Sequence, residues 1–152
     1  MRRAIAASLW LLPLPACDGA AACSEDARAQ RLDAHVSLTI DGVPLVAELA
    51  DTDAARERGW RYRRCDREAL LLRHDPGSTA APLPVWGCAL VDPIDVAFIA
   101  DGRVVRWHAG LEPCDRCDAG CPIVGDDLEV DGVLELDAGA WEFAVGDTVI
   151  GL

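Results

Sequence analysis

The sequence predicts one small, mainly β domain, an antiparallel sandwich or barrel with one or two short helices. Three observations carry that expectation. Short apolar runs recur along the chain with Gly, Pro and Asp between them, the rhythm of an all-β domain rather than of alternating strands and helices. Two Asp-Gly pairs, Asp41-Gly42 and Asp101-Gly102, each stand between apolar runs, which is a strong local hairpin signal. A helical pattern is confined to one brief stretch.

Taken in order, His35–Ile40 and Val43–Leu49 form the first hairpin around Asp41-Gly42. Thr52 can then cap a short helix, because its hydroxyl can accept a free N–H of the first turn; Ala55, Arg56, Glu57 and Arg58 continue it, and Gly59 stops it beside Trp60. Strands follow at Ala69–Leu72, Leu83–Trp86, Ile94–Ala100, Arg103–His108, Leu128–Leu136 and Asp147–Ile150, the third and fourth joined at Asp101-Gly102. No internal repeat and no low-complexity block interrupts the pattern.

The chain has 152 residues, enough for one domain with a short extension. At 51% hydrophobic residues it can bury a core. Its 26 acidic residues stand against 14 basic ones, all Arg, for a net charge of −12. That balance argues against a nucleic-acid partner, which requires a clustered basic surface. Without lysine there is neither a Schiff-base nor a phosphate-cradling lysine.

Residues 1–16 read as an export signal. Arg2 and Arg3 precede the apolar run AIAASLWLLPLPA, which is too short and too broken by Pro13 and Pro15 to span a bilayer. The run ends in Leu14-Pro15-Ala16-Cys17, which resembles a bacterial lipobox. Cys17 is therefore the expected lipidation site, with acyl chains holding the protein on the periplasmic side of a membrane. Ordinary secretion, with cleavage after Ala22, is the alternative. Residues 17–33 read as a flexible tether and 34–152 as the folded domain. Losing Arg2 and Arg3 leaves 12 basic residues against 26 acidic, so the anchor gains nothing from anionic lipid.

Lipidation of Cys17 would leave six cysteines, an even number in an oxidising compartment: Cys23, Cys65, Cys88, Cys114, Cys117 and Cys121. Six thiols allow about 15 pairings, and spacing does not choose among them.

Three passages resemble the bacterial and archaeal "domain of unknown function 192" family. They are Val46–Gly59 (VAELADTDAARERG), Val85-Trp86 with the later Pro93–Ile99 (PIDVAFI), and Leu134-Glu135-Leu136 followed by Gly139 and Gly146-Asp147. The resemblance covers about residues 36–152. It implies a single mainly β domain, often behind an export signal, and brings no catalytic residue. It also implies a cysteine pair in the loop after Pro113, and a C-terminal helix here shortened to Ala138–Phe143. Where that family has a polar stretch after the tryptophan, this chain has Gly87-Cys88-Ala89-Leu90, so chemistry resting on those polar groups is missing.

Cys114, Cys117 and Cys121 form the densest chemical feature. Their spacing could chelate zinc, with His108 as a fourth ligand, but an oxidising compartment favours disulfides. A metal- or thiol-dependent accessory factor built on this loop is the alternative reading, with zinc as its conceivable cofactor; otherwise no cofactor is expected. Asp127, Glu129 and Asp131 mimic half of a calcium loop, but Ala138 stands where its bidentate Glu belongs, and an edge strand with acids on its wet face explains them. Asp95, flanked by apolar residues, is either a perturbed functional acid or an acceptor for backbone N–H groups. Trp86, Trp107 and Trp141 could line a pocket for a flat ligand or simply pack in the core. No G-x-S-x-G elbow is present, and a pairing of Cys88 with His35 or His108 finds no support in spacing. The functional expectation is thus an exported envelope lipoprotein, non-enzymatic, that binds a partner protein or a small ligand.

Overall fold

The structure, a computed structural model, describes residues 23–152 apart from Pro76 and Ala119. The export signal and Cys17 lie outside the described residues. Nine strands and one helix are described: β1 His35–Ile40, β2 Val43–Ala50, α1 Asp53–Arg58, β3 Ala69–Arg73, β4 Val85–Trp86, β5 Ile94–Ala100, β6 Arg103–Leu111, β7 Ile123–Val124, β8 Gly132–Asp137 and β9 Val149–Ile150.

Seven strands form one sheet in the order β6-β5-β8-β3-β2-β1-β9, and β4 pairs with β7 in a second, two-stranded sheet. The outer strands of the large sheet meet. Thr148 bridges Arg103, the Val104 N–H donates to Asp147 O at 2.9 Å, and the Val149 N–H donates to Gly102 O at 2.8 Å. The sheet is a nearly closed barrel, a form that leaves few unpaired edge groups. All its pairs are antiparallel except β2 with β3. That parallel step follows from α1, which carries the chain back across between the two strands.

Two apolar cores flank the sheet. Leu38, Ile40, Leu45, Ala47, Leu71, Ala97, Ile99 and Leu134 fill the barrel interior. On the opposite face Leu70, Leu72, Val96, Phe98 and Val133 are covered by Trp60, Leu83, Val85 and Leu90. Strands β3, β5 and β8 are therefore buried on both sides, which is why ALLL, IDVAFI and GVLEL read as nearly unbroken apolar runs. Each large side chain so buried contributes about 1.5–3 kcal/mol.

Both Asp-Gly hairpins form as expected, and so does α1: Thr52 Oγ1 accepts the Ala55 N–H at 3.2 Å, and Gly59 caps the other end. Three expectations are corrected and one element is new. The strand at Leu128–Leu136 begins at Gly132, because Gly125–Leu128 is a turn; Asp127 there pairs with Arg106 and Asp131 accepts the Asp101 N–H, so the acids do not line an edge strand. Residues 138–143 are a turn and an irregular segment, not a helix. The short strand β7 was not foreseen. Finally, residues 23–33 are docked on the domain, not a free tether: Cys23 is disulfide-bonded to Cys65, Glu25 accepts the Arg64 and Cys65 N–H groups, and buried Gln30 donates to Ala55 O and Gly59 O.

Candidate functional site

The cysteine loop is closed. Cys88 is bonded to Cys117 and Cys114 to Cys121. Gly87 lets the loop approach, since a Cβ there would fall 2.4 Å from Glu112 O; its N–H donates to Pro122 O at 2.9 Å and its carbonyl accepts the Cys114 N–H at 2.8 Å. With all three loop thiols consumed, the zinc reading and the thiol-dependent factor are corrected: disulfide sulfurs are not thiolate ligands or nucleophiles. The same bond removes Cys88 as a partner for His35 or His108. Among the described residues no cluster of three or more His, Cys, Asp or Glu is placed to hold a metal.

Asp95 is 3% exposed, on β5. Its Oδ1 accepts the Gly110 N–H at 2.7 Å and its Oδ2 accepts the Gly139 N–H at 2.8 Å. The carboxylate thus ties the end of β6 to the turn after β8, and both oxygens are engaged by the backbone. Trp107 sits edge-on to Phe143, with ring centroids 5.8 Å apart, and Phe143 stacks on Trp141 at 5.6 Å; the three pack against the barrel-interior core. Trp86 is elsewhere, half-exposed on β4. The three tryptophans do not share a pocket.

Trp86 instead stands at the lip of a groove of about 350 Å³ between the C-terminal end of α1 and β4, a size within the usual range of small-molecule sites, about 300–1,000 Å³. Its walls are Trp60, Leu72, Leu83, Val85 and Leu90, all buried, with Ile123 beside Trp86 at the mouth. Arg56, Arg58 and Arg61 stand along the rim with Glu57. Arg56 is occupied, donating to Asp51 O and Arg73 O and pairing with Asp53. The side chains of Arg58 and Arg61 have no hydrogen-bond or ion-pair partner among the described residues, and Arg61 Nε is buried. The Arg61 guanidinium lies 5.9 Å from the Trp86 ring centroid.

The floor of the groove is Glu135. It is 3% exposed, in the middle of β8, on the face opposite Leu134 and Leu136. Its Oε2 accepts the Trp60 N–H at 2.8 Å; its Oε1 has no partner among the described residues. Burial pushes the carboxyl up to about 7, although the Trp60 N–H and the charge of Arg67 both oppose that rise. Arg67 is held by Asp92, Asp137 and Pro93 O, and its guanidinium lies 5.2 Å from the Trp60 ring centroid. A carboxyl with one free oxygen beneath an apolar groove is the arrangement expected of a ligand site. In the sequence Glu135 stood as part of a closing motif and Arg58 only as a helix former, and nothing singled out Arg61. The available signal was a single acid set among Val133, Leu134 and Leu136.

The helix of α1 and strand β8 that frame the groove fall within residues 36–150, which match the family model DUF192, described as "Uncharacterized ACR". Two crystal structures share the fold. One is a Sinorhizobium meliloti 1021 protein named for transcription regulation, at 28% identity and a TM-score of 0.66, covering 80% of this chain and 97% of its own. The other is a protein of unknown function from Novosphingobium aromaticivorans DSM 12444, at 23% identity and a TM-score of 0.61, covering 84% of this chain and 98% of its own. The comparison with curated proteins finds no match. With its model matched over most of the sequence, the chain belongs to the DUF192 family.

Proposed function

We propose that this protein is an exported, lipid-anchored domain of the bacterial envelope that binds a small ligand, without chemistry of its own, in the groove between α1 and β4. The observation that carries the binding reading is Glu135. A strand buried on both faces tolerates a carboxyl when it is engaged, and here half of it is left facing an apolar cavity rimmed by arginines. Three disulfides among the described residues fit an oxidising compartment. No described helix is long and apolar enough to cross a membrane, and attachment rests on acylation of Cys17. The net charge of −12 argues against carrying over the transcription role in the name of the Sinorhizobium protein.

Two measurements test this reading. The mass of the unreduced protein, extracted gently from the envelope of an exporting host, should show an acylated Cys17; a free, unmodified Cys17 removes the anchor. A fragment screen followed by NMR should shift the signals of Trp60, Leu83 and Trp86 as one cluster. Hits gathering anywhere else on the domain would overturn the assignment of the site.

A further inference from the structure

Resting on that reading of the groove, we propose that its ligand is an amphipathic anion, with its apolar body against Trp60, Leu83, Val85 and Leu90 and its acidic head on the guanidiniums of Arg58 and Arg61. Above Glu135 the walls are apolar except for the Trp60 indole N–H, which is buried and has no acceptor among the described residues, so the inner part of the ligand has to be mainly apolar. The rim supplies the charge. In a strongly acidic protein, two arginines without carboxylate partners among the described residues stand on one side of a single cavity, and Glu57 is the acid among them. Most other guanidiniums near this region are committed: Arg56 to Asp53, Arg63 to Glu48, and Arg67 to Asp92 and Asp137. The buried Arg61 Nε lacks an acceptor among the described residues, which an anionic oxygen would supply. The guanidinium lies between two rings, 5.7 Å from the Tyr62 centroid and 5.9 Å from that of Trp86, within reach of a cation–π contact with either.

Glu135 makes the selection depend on pH. The groups facing it are the Trp60 N–H, the Arg67 charge, and the rim residues Arg56, Glu57, Arg58 and Arg61. Below its pKa of about 7 the carboxyl is neutral and can donate to the ligand; above it, a buried negative charge repels an anion in the same cavity. Anion affinity should therefore be higher on the acid side.

The test uses the full chain, as exported, and three probes sharing one apolar body: phenylbutyrate, phenylbutanol and phenylbutylamine. Binding is followed by NMR at the Trp60 indole and Arg61 Nε–H signals, at about pH 5.5 and about pH 8.5, either side of the Glu135 titration. Phenylbutyrate should bind at least about tenfold more tightly than phenylbutylamine, and about tenfold more tightly at the lower pH. Glu135→Gln should abolish the pH dependence while keeping the anion preference. Arg58→Gln, at an exposed position, together with Arg61→Gln should abolish the preference, and Arg58→Gln alone should weaken it should the Glu135 variant not fold. If phenylbutanol or phenylbutylamine binds as well as phenylbutyrate, the groove remains a binding site and the anion inference falls. If none of the three moves the groove signals, the binding reading falls with it.

Discussion

Gly59 and Glu135 occupy space that only one of them could fill with a side chain: a Cβ on Gly59 would lie 2.8 Å from Glu135 Oε1. Gly59 also has φ 48° and ψ −141°, a backbone conformation that an L side chain resists. The helix stop and the acid on the groove floor are therefore one device. Gly59→Ala should destabilise the domain by about 2 kcal/mol or more, combining backbone strain with displacement of the carboxyl. Denaturant melts check this, and in the Gly59→Ala, Glu135→Ala double variant part of the loss should be recovered because the clash is gone while the strain remains.

The raised pKa of Glu135 has a consequence for stability. In the unfolded chain the carboxyl titrates near 4.5, and in the fold at about 7. The folded state thus holds its proton more tightly, and the stability linked to that proton is fully present below 4.5 and is lost as pH rises through 7. The loss amounts to about 3 kcal/mol at most, from the size of the shift. Glu135→Gln keeps the acceptor for the Trp60 N–H and removes the titration. Its thermal midpoint should change less than that of the parent protein between about pH 5 and about pH 8; an unchanged slope would place the titrating group elsewhere.

Asp95 lends itself to a simpler test. Each carboxylate oxygen accepts one backbone N–H, from Gly110 and Gly139. In Asp95→Asn one acceptor becomes a donor facing a donor, so one buried N–H loses its partner at a cost of about 1–3 kcal/mol. The groove lies on the other face of the sheet, so phenylbutyrate binding by the folded variant should match the parent protein. A change in affinity without a change in stability would contradict the bracing role.

Much of the architecture was legible because local chemistry determined it. Asp41-Gly42, Asp101-Gly102 and the Thr52 to Gly59 helix obey rules that act within a few residues, and each forms where the sequence places it. What was not legible depended on distant partners. Gln30 belongs to the domain because Ala55 O and Gly59 O accept its amide, and nothing in residues 23–33 announces that. Asp95 and Glu135 are both single acids in apolar strands, alike in sequence. Asp95 has a backbone donor on each oxygen, whereas Glu135 has one and turns its second oxygen to a cavity, a difference created by strand parity and by what covers each face. Trp86 was among the predicted site residues and lines the groove, whereas Trp107 packs with Phe143. The arginine rim was missed because charged residues at the end of a short helix usually mean only solvent.

The disulfides should differ in what they hold. Cys23 and Cys65 are separated by 42 residues, Cys88 and Cys117 by 29, and Cys114 and Cys121 by 7. Restricting the unfolded chain through the longest loop is worth roughly 4 kcal/mol and through the shortest roughly 2 kcal/mol. Replacing Cys23 and Cys65 with serine also frees the segment that carries Glu25 and Gln30, and Gln30 steadies the end of α1 that forms the groove. That variant should lose the most stability and also weaken phenylbutyrate binding. Replacing Cys114 and Cys121, neither of which lines the groove, should lower the melting temperature less and leave the affinity near that of the parent. Peptide mapping without reduction supplies the prior check, because recovery of any pairing other than these three would remove the basis for ranking them.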